Sequence, residues 1–526
     1  FWADAIKLEM ENVQVAFTLC EGDPNDLVGY KHVGTHMIFD IKLGENFRRK
    51  ARLVADGHRT DVPASITYSS VVARDSVRIC LLIAALNDLE IKCGDIKNAY
   101  LTAPPREKLY TWAGQEFGIN QGKPFIISKA LYGLKSSGAS FRAHLAKHLE
   151  EELGFKSSEA DPDVWLRPAV KPDGEEYYEY VLGYVDDILA ISYDPDRIMK
   201  QISEKFDFKN NKWDELEMYL GARINKKVVE GTKLWTMSSQ DYLKAAIQEI
   251  EIKLKKEGTQ LPKKTKVPMS TSYRPELDPT EELEPEEITY YQELIGILRW
   301  SIEIGRVDIH LEVALLSAYQ ASPRRGHLNA LYQIFAFIKN NPKLTLYFDP
   351  RLPSIDYAVF KNNSGEFKEY YRDAVEELPP RTPTPRGRMV TTTAFVDSSH
   401  AANKVTRKSH TGYILFVNRT PIIWYSKRTS TVETSAFSSE FLAMKSCMEG
   451  IISLRYKLRM FGVPFDGPTE VFCDNNAVVL NTSNVESKLN KRHNQLAYNA
   501  VRWVVAAEVI RVCLLYTSPS PRDEKV

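Results

Sequence analysis

The chain has 526 residues with Lys+Arg 69 and Asp+Glu 69, a formal net charge of zero. That balance counts against a partner held by overall positive charge, although active-site acids can offset a local basic groove. A hydrophobic share of 43% and a charged share of 26% exclude a disordered or fibrous chain, and at roughly 150 residues per domain they leave room for three or four modules. The cysteines (Cys20, Cys80, Cys93, Cys447, Cys473, Cys513) are scattered without a CxxC pair, so neither a zinc site nor a disulfide framework is expected, and a reducing compartment is. No apolar run of about 18 residues and no signal peptide is evident, which points to a soluble intracellular chain with no membrane partner. It begins with Phe1 and reads as a fragment of something longer.

In chain order, "RRKARLVADG" (48–57) predicts a strand with Lys50, Arg52 and Val54 on one face. Helical spacing over 75–89 aligns Val77, Cys80, Leu81 and Ala84, with Asp75 or Ser76 as cap. "LEIKCGDIKNAYL" (89–101) reads as a strand carrying Asp95. Phe141, Leu145, Leu149 and Leu153 recur every fourth residue, and Gly154 is the expected terminator. "VLGYVDDILAIS" (181–192) predicts a hairpin whose turn holds Asp186 and Asp187 between apolar strands. Residues 241–340 read as mostly helical, interrupted by the basic "KLKKEGTQLPKKTK" (253–266) and the acidic "ELDPTEELEPEE" (276–287). Both are read as solvated linker, with phosphate contact by the lysines as the alternative. The prolines of "ELPPRTPTPRGR" (377–388) mark a boundary. Beyond it come strands 392–397, 411–417 and 421–427, a helix from Ser438 to Met460, and strand 469–474, a mixed α/β domain.

Adjacent carboxylates in a dry setting repel, and each costs several kcal/mol to desolvate unless a cation meets it. Asp95 at a strand end and Asp186–Asp187 in a turn can converge on one sheet edge, where hard oxygen ligands suit two Mg²⁺ ions. The bland alternative is a pair of solvent-exposed turn acids. The second domain repeats the pattern: Asp397 ends its first strand, Glu440 lies in the first turn of the long helix, and Asp474 ends the fourth strand. Ser398, Ser399 and His400 do not make a hydrolase triad, because neighbours on a strand alternate faces. His144 and His148 are read as structural. His493 and "KLNKRH" (488–493) are either an ordinary loop and helix start or a contact to a nucleic-acid backbone.

The motifs "KARLVA" (50–55), "GDIKNAYL" (94–101), "LYGLKSSGASF" (131–141), "YVDDILAIS" (184–192), "YLGARI" (219–224) and "YYQELIGILRW" (290–300) stand in the order found in copia-type retrotransposon polyproteins, whose reverse transcriptase this chain resembles from about residue 1 to 348. "FVDSSHA" (395–401), "KSHTGYILF" (408–416), "PIIWYSKR" (421–428), "SSEFLAMK" (438–445) and "FCDNNA" (472–477) resemble the ribonuclease H that follows it. The family's "KARLVAKG" reads "KARLVADG" here, with Asp56 in place of lysine, which removes a basic contact and no metal ligand.

The resemblance implies an α/β (α+β) chain: a right-hand polymerase followed by a ribonuclease H-like domain. Fingers and palm would occupy 1–240, a thumb or helical connection 241–348, a linker 349–390 and the nuclease 391–512. Residues 513–526, with "CLLYTSPSPRD", look like translated sequencing adapter. Asp95, Asp186 and Asp187 become the catalytic, metal-holding acids of the polymerase, and Asp397, Glu440 and Asp474 those of the nuclease, each set with two Mg²⁺ (or Mn²⁺). Lys50, Arg52 and Tyr100 become dNTP contacts, Tyr100 as the steric gate under the sugar, and Leu220 and Gly221 primer contacts. The nuclease family's fourth acid, in "LADxxTK", has no counterpart, so hybrid cleavage is expected to be impaired. The implied partners are an RNA template, a DNA or RNA primer, dNTPs, an RNA–DNA hybrid, and upstream protease and integrase domains. The expected setting is a cytoplasmic virus-like particle or the nucleus. The alternatives are a catalytically inactive nucleic-acid-binding relic and a nuclease alone, which leaves "YVDD" unexplained.

Overall fold

The computed structural model describes residues 2–20, 27–42, 48–60, 67–355, 364–487 and 494–515. His493 with the basic run 488–493, and the tail from 516, lie outside the described residues. The chain forms two units: Phe1–Ala73, Glu90–Ala169 and Tyr178–Glu215 make the first, and Arg74–Leu89, Val170–Tyr177 and Leu216–Val526 the second.

The first unit is organised by a six-stranded sheet in the order Asp214–Glu215, Glu90–Asp95, Asp187–Ser192, Glu176–Tyr184, Val164–Val170, Lys156–Ser157. Period two sends Val181, Ile188 and Ala190 to one face, where they pack with Phe141 and Leu145 of helix Ser137–Lys147 and with Ile198, Met199 and Ile202 of helix Pro195–Ser203. The latter helix starts where its sequence directs: Asp194 accepts a hydrogen bond from the Arg197 backbone N–H at 3.2 Å, and Pro195 follows at the first turn. The spacing Phe141, Leu145, Leu149 does mark a helix, but its last turn, His148–Glu152, widens before Gly154 (φ +74°) ends it. His148 is buried there with Nδ1 2.8 Å from Glu152, a structural role.

A ribbon of Thr35–Lys42 with Arg48–Ala55 carries Lys50 and Arg52. The expected strand through residue 101 stops at Asp95: Asn98 turns left-handed (φ 51°), and a short helix, Ala99–Thr102, carries Tyr100.

In the second unit, helix Arg74–Leu86 begins ahead of Asp75, so Asp75 and Ser76 sit in its first turn instead of capping it. Every residue from Ser76 to Leu86 is buried, wider than the predicted stripe. The buried Arg78 guanidinium is accommodated by Glu303 at 3.2 Å and by the Trp424 ring, 4.0 Å from its centroid. Helices Gln240–Lys256, Pro285–Glu303, His310–Leu316 and Arg325–Asn340 share a core around Tyr291, Leu298, Leu331 and Phe335. The acidic stretch is no free linker: Glu287 pairs with Arg325 at 2.6 Å, and Glu282 with Arg324 at 3.2 Å. The proline-rich span is irregular, yet its end is tied down, with the Arg388 backbone N–H donating to Asn87 Oδ1 at 2.8 Å.

A five-stranded sheet closes this unit in the order Thr420–Arg428, His410–Val417, Thr392–Ser399, Thr469–Cys473, Ile510–Leu514. Helix Ala436–Met460 packs on it through Phe441, Met444, Cys447, Ile451 and Leu454, the spacing of a core-facing stripe. Two boundaries differ from expectation. The helix starts at Ala436 because Ser435 caps it, which moves Glu440 into the second turn. The last strand runs past Val512, with Cys513 opposite Phe472 and Leu514 opposite Cys473, because the apolar run continues the pairing.

Candidate active sites

Sheet register assembles the first site. Asp187 lies directly opposite Asp95 on antiparallel strands, and Tyr184 opposite Asp187 closes the hairpin through Val185 and Asp186. Val185 has φ +57°, the positive value that a II′-type hairpin needs at its first turn residue. Glycine normally takes that role; a β-branched residue there stores about 1–2 kcal/mol. The Ile96 backbone N–H donates to the Asp186 carbonyl at 2.8 Å and holds the turn against the Asp95 strand.

The three carboxylates are thereby gathered at one sheet end. Burial first, and Asp186 and Asp95 after it, push Asp187 up to about 6. Burial also raises Asp95, against the pull of Lys209. The Lys209 ammonium pairs with one Asp95 oxygen and stands 4.0 Å from Asp186. The other Asp95 oxygen, Oδ1, is buried with no hydrogen-bond partner among the described residues.

Tyr100 lies beside these acids, its phenol raised by burial and then by Asp186. Its ring centroid is 4.9 Å from that of Tyr132, over which the Arg52 guanidinium sits at 5.5 Å. Lys50 is near enough for its charge to lower Asp95. Two of the motifs are locked by glycine, one in each unit. Gly133 (φ +91°) runs so close to the Lys50–Arg52 strand that a Cβ there would meet the Ala55 carbonyl at 2.1 Å. Leu220 and Gly221 form a two-residue turn between paired Tyr219 and Ala222, both with positive φ (50° and 77°), as a type I′ hairpin requires. They belong to the second unit, whereas the acids belong to the first.

The second acid cluster also follows from register. Val396 pairs with Cys473 on parallel strands, so Asp397 and Asp474 are the next residues on each. Glu440 reaches them from the helix: burial, then Asp397, then Asp474 push its carboxyl up to about 8. Its Oε2 is buried without a partner among the described residues. Donor atoms of Glu440, Cys473 and Asp474 all lie within 4.8 Å of one another. His400 turns its Nδ1 to Ser439 Oγ at 3.1 Å, away from any serine triad.

Lys209, Tyr132 and Cys473 were missed by sequence reasoning. Lys209 follows Phe206 and Phe208, both buried, and that apolar pair anchoring the loop was the available signal. Cys473 directly precedes Asp474 in "FCD", and Tyr132 stands inside a motif already noted. Orphaned buried carboxylate oxygens in both clusters fit a divalent cation with hard oxygen ligands.

Residues 23–263 match the family described as reverse transcriptase (RNA-dependent DNA polymerase). Together with the mixed α/β fold and the gathered acids, that match defines a reverse-transcriptase domain. Over 505 residues, 93% of this chain, it is 26% identical to a retrovirus-related Pol polyprotein from transposon RE1 of Arabidopsis thaliana. Over 499 residues, 92% of this chain, it is 24% identical to one from transposon TNT 1-94 of Nicotiana tabacum. The chain is similar to these Pol polyproteins over a part of them, spanning 30% and 33% of their length. A foamy viral protease-reverse transcriptase solved with double-stranded DNA is similar in fold, with TM-score 0.50 and 12% identity, covering 98% of this chain and 70% of that one. Among the described residues no helix is long and apolar enough to cross a membrane.

Proposed function

We propose that the chain is an RNA-directed DNA polymerase with a second, hybrid-cleaving centre. One observation carries the first part: the register that sets Asp95 opposite Asp187, with Asp186 in the adjoining turn and one Asp95 oxygen left without a donor. Asp95, Asp186 and Asp187 would hold the divalent cations, Mg²⁺ by the hardness of the donors. Such ions, when bound, favour the ionised form of an attacking hydroxyl and offset charge on the leaving oxygen. The chain's own residues do the rest. Lys50 and Arg52 attract the triphosphate from one strand face. The Tyr100 ring, braced by Tyr132, takes the volume that a 2′-hydroxyl would need. Leu220 and Gly221 would contact the primer end. Template, primer and dNTPs are the substrates, and protease and integrase domains are the expected neighbours in the parent polyprotein.

Asp397, Glu440 and Asp474 support ribonuclease H action on the RNA of an RNA–DNA hybrid, because three carboxylates from three elements meet with one buried oxygen unpartnered. The test is primer extension on an RNA template, and in parallel cleavage of a labelled hybrid, each with and without Mg²⁺. Metal-dependent extension that Asp186→Asn removes supports the polymerase reading. A correctly folded chain that binds template and extends nothing makes it the inactive relic.

A further inference from the structure

The second unit contains a cavity that neither acid cluster uses. Its volume is about 330 Å³, within the roughly 300–1,000 Å³ of small-ligand sites. One wall is an apolar stripe along helix His310–Leu316 and the turn after it, made by Leu311, Ala314, Leu315 and Ala318. Leu311 is 48% exposed there. The lining is also cationic, with Lys404 and Lys408 from the loop joining two nuclease-sheet strands and Arg428 from the end of a third. Arg274 lines it as well. The one carboxylate among the lining residues, Glu276, accepts a hydrogen bond from the Lys404 backbone N–H at 2.9 Å. Four cations therefore face one acid, and among the described residues no carboxylate pairs with the side chains of Lys404, Lys408 or Arg428.

A buried donor adds to this. His410 lines the cavity at 7% exposure, with Nε2 2.8 Å from Ser426 Oγ and Nδ1 without a partner among the described residues. Burial, with His310 and Arg428 facing it, keeps this ring neutral, so one nitrogen can carry a proton to donate. A phosphate oxygen is the ligand that such a lining suits. The apolar stripe suits a flat ring, and a cavity of this size admits one nucleotide and no duplex.

We propose that this cavity binds a free nucleoside triphosphate, with its phosphates on Lys404, Lys408 and Arg428 and its base against Leu311 and Leu315. The occupant would also touch His400, a few residues beyond Asp397 and bonded to Ser439 beside Glu440, so the site adjoins the second acid cluster.

The experiment is calorimetric titration of the full chain with ATP in EDTA, repeated on the double variant Lys408→Ala/Arg428→Ala and on Lys404→Ala in the exposed loop. Melting curves and primer extension report that the variants are folded. The expected result is ATP binding by the wild type and an increase in Kd of about tenfold or more in the double variant, with primer extension unchanged. No ATP binding at millimolar concentration, or equal affinity in the wild type and both variants, overturns the proposal. Loss of affinity for a short RNA–DNA hybrid with ATP binding unaltered also overturns it, since the cations would then read backbone phosphate. None of these readings depends on whether either acid cluster is catalytic.

Discussion

Glu440→Gln should stabilise the metal-free chain, and by an amount that grows with pH. Glu440 is 8% exposed, its Oε2 has no partner among the described residues, and two further carboxylates lie close. Its carboxyl stands at about 8 against an ordinary 4.5. At about 1.4 kcal/mol per unit the ceiling on the destabilisation is about 5 kcal/mol; relaxation and water entry reduce it to about 1–3 kcal/mol. The sign follows from proton linkage. Between 4.5 and about 8 the folded chain keeps a proton that the unfolded chain has released, so stability is greatest below the unfolded value and falls as pH rises to the folded one. Glutamine cannot ionise, and its side chain keeps nearly the same volume. Urea unfolding in EDTA at pH 5, 7 and 8.5, followed by tryptophan fluorescence, should show the variant's advantage opening across that range. Added Mg²⁺ at pH 8.5 should raise the wild type and leave the variant behind. A stability difference that does not change with pH would refute the view that Glu440 is ionised at a cost in the folded chain.

Asp186→Asn should lower primer extension on the order of a hundred- to a thousandfold while the far-UV circular dichroism and template binding stay as in the wild type. Tyr100→Ala should raise the rNTP-to-dNTP incorporation ratio opposite one template base, whereas Tyr100→Phe, which keeps the ring against Tyr132, should leave that ratio unchanged. Gly133→Ala should destabilise the first unit by about 2 kcal/mol or more in denaturant titration, since a Cβ meets a backbone carbonyl at 2.1 Å from a left-handed φ.

The parts of the site that lie on strands were legible because period two and turn chemistry act locally. "YVDD" between apolar runs announces a hairpin, and Tyr184 opposite Asp187 is that hairpin. Asp95 was legible as a strand acid, but its position opposite Asp187 is a pairing between residues far apart in the chain, which no local pattern encodes. Lys209 escaped because one lysine in "FDFKNNKW" looks like any other. Its meaning comes from the buried Phe208, which bridges to Ile96 and sets the following residue over Asp95. Glu440 was found in the right helix and the wrong turn, since "SAFSSE" offers several serines as caps and only the hydrogen bond from Ser438 to Ser435 selects one. Gly133 and Gly57 show the same limit: each is needed for its approach to another segment, with a Cβ on Gly57 meeting the Gly133 carbonyl at 2.2 Å.

The two acid clusters use one construction with different charge balance. In each, neighbouring strands place two carboxylates at the same sheet end, and a further element supplies the rest. The first cluster contains an ammonium from its own chain, Lys209, which pairs with Asp95 and approaches Asp186, and the strongest upward displacement there stops at about 6 for Asp187. The second has no such ion pair to Glu440 among the described residues, and there the displacement reaches about 8. Near neutral pH, then, Asp187 in the first cluster is mostly ionised, while Glu440 in the second holds a proton that an entering cation must displace. Cation binding at the second cluster should release a proton and respond to pH, whereas entry at the first requires Lys209 to move from an oxygen it already holds. Burial is the largest cause in both clusters, and Lys209, set in place by a buried phenylalanine, is the opposing charge that the first cluster adds to the acids the two have in common.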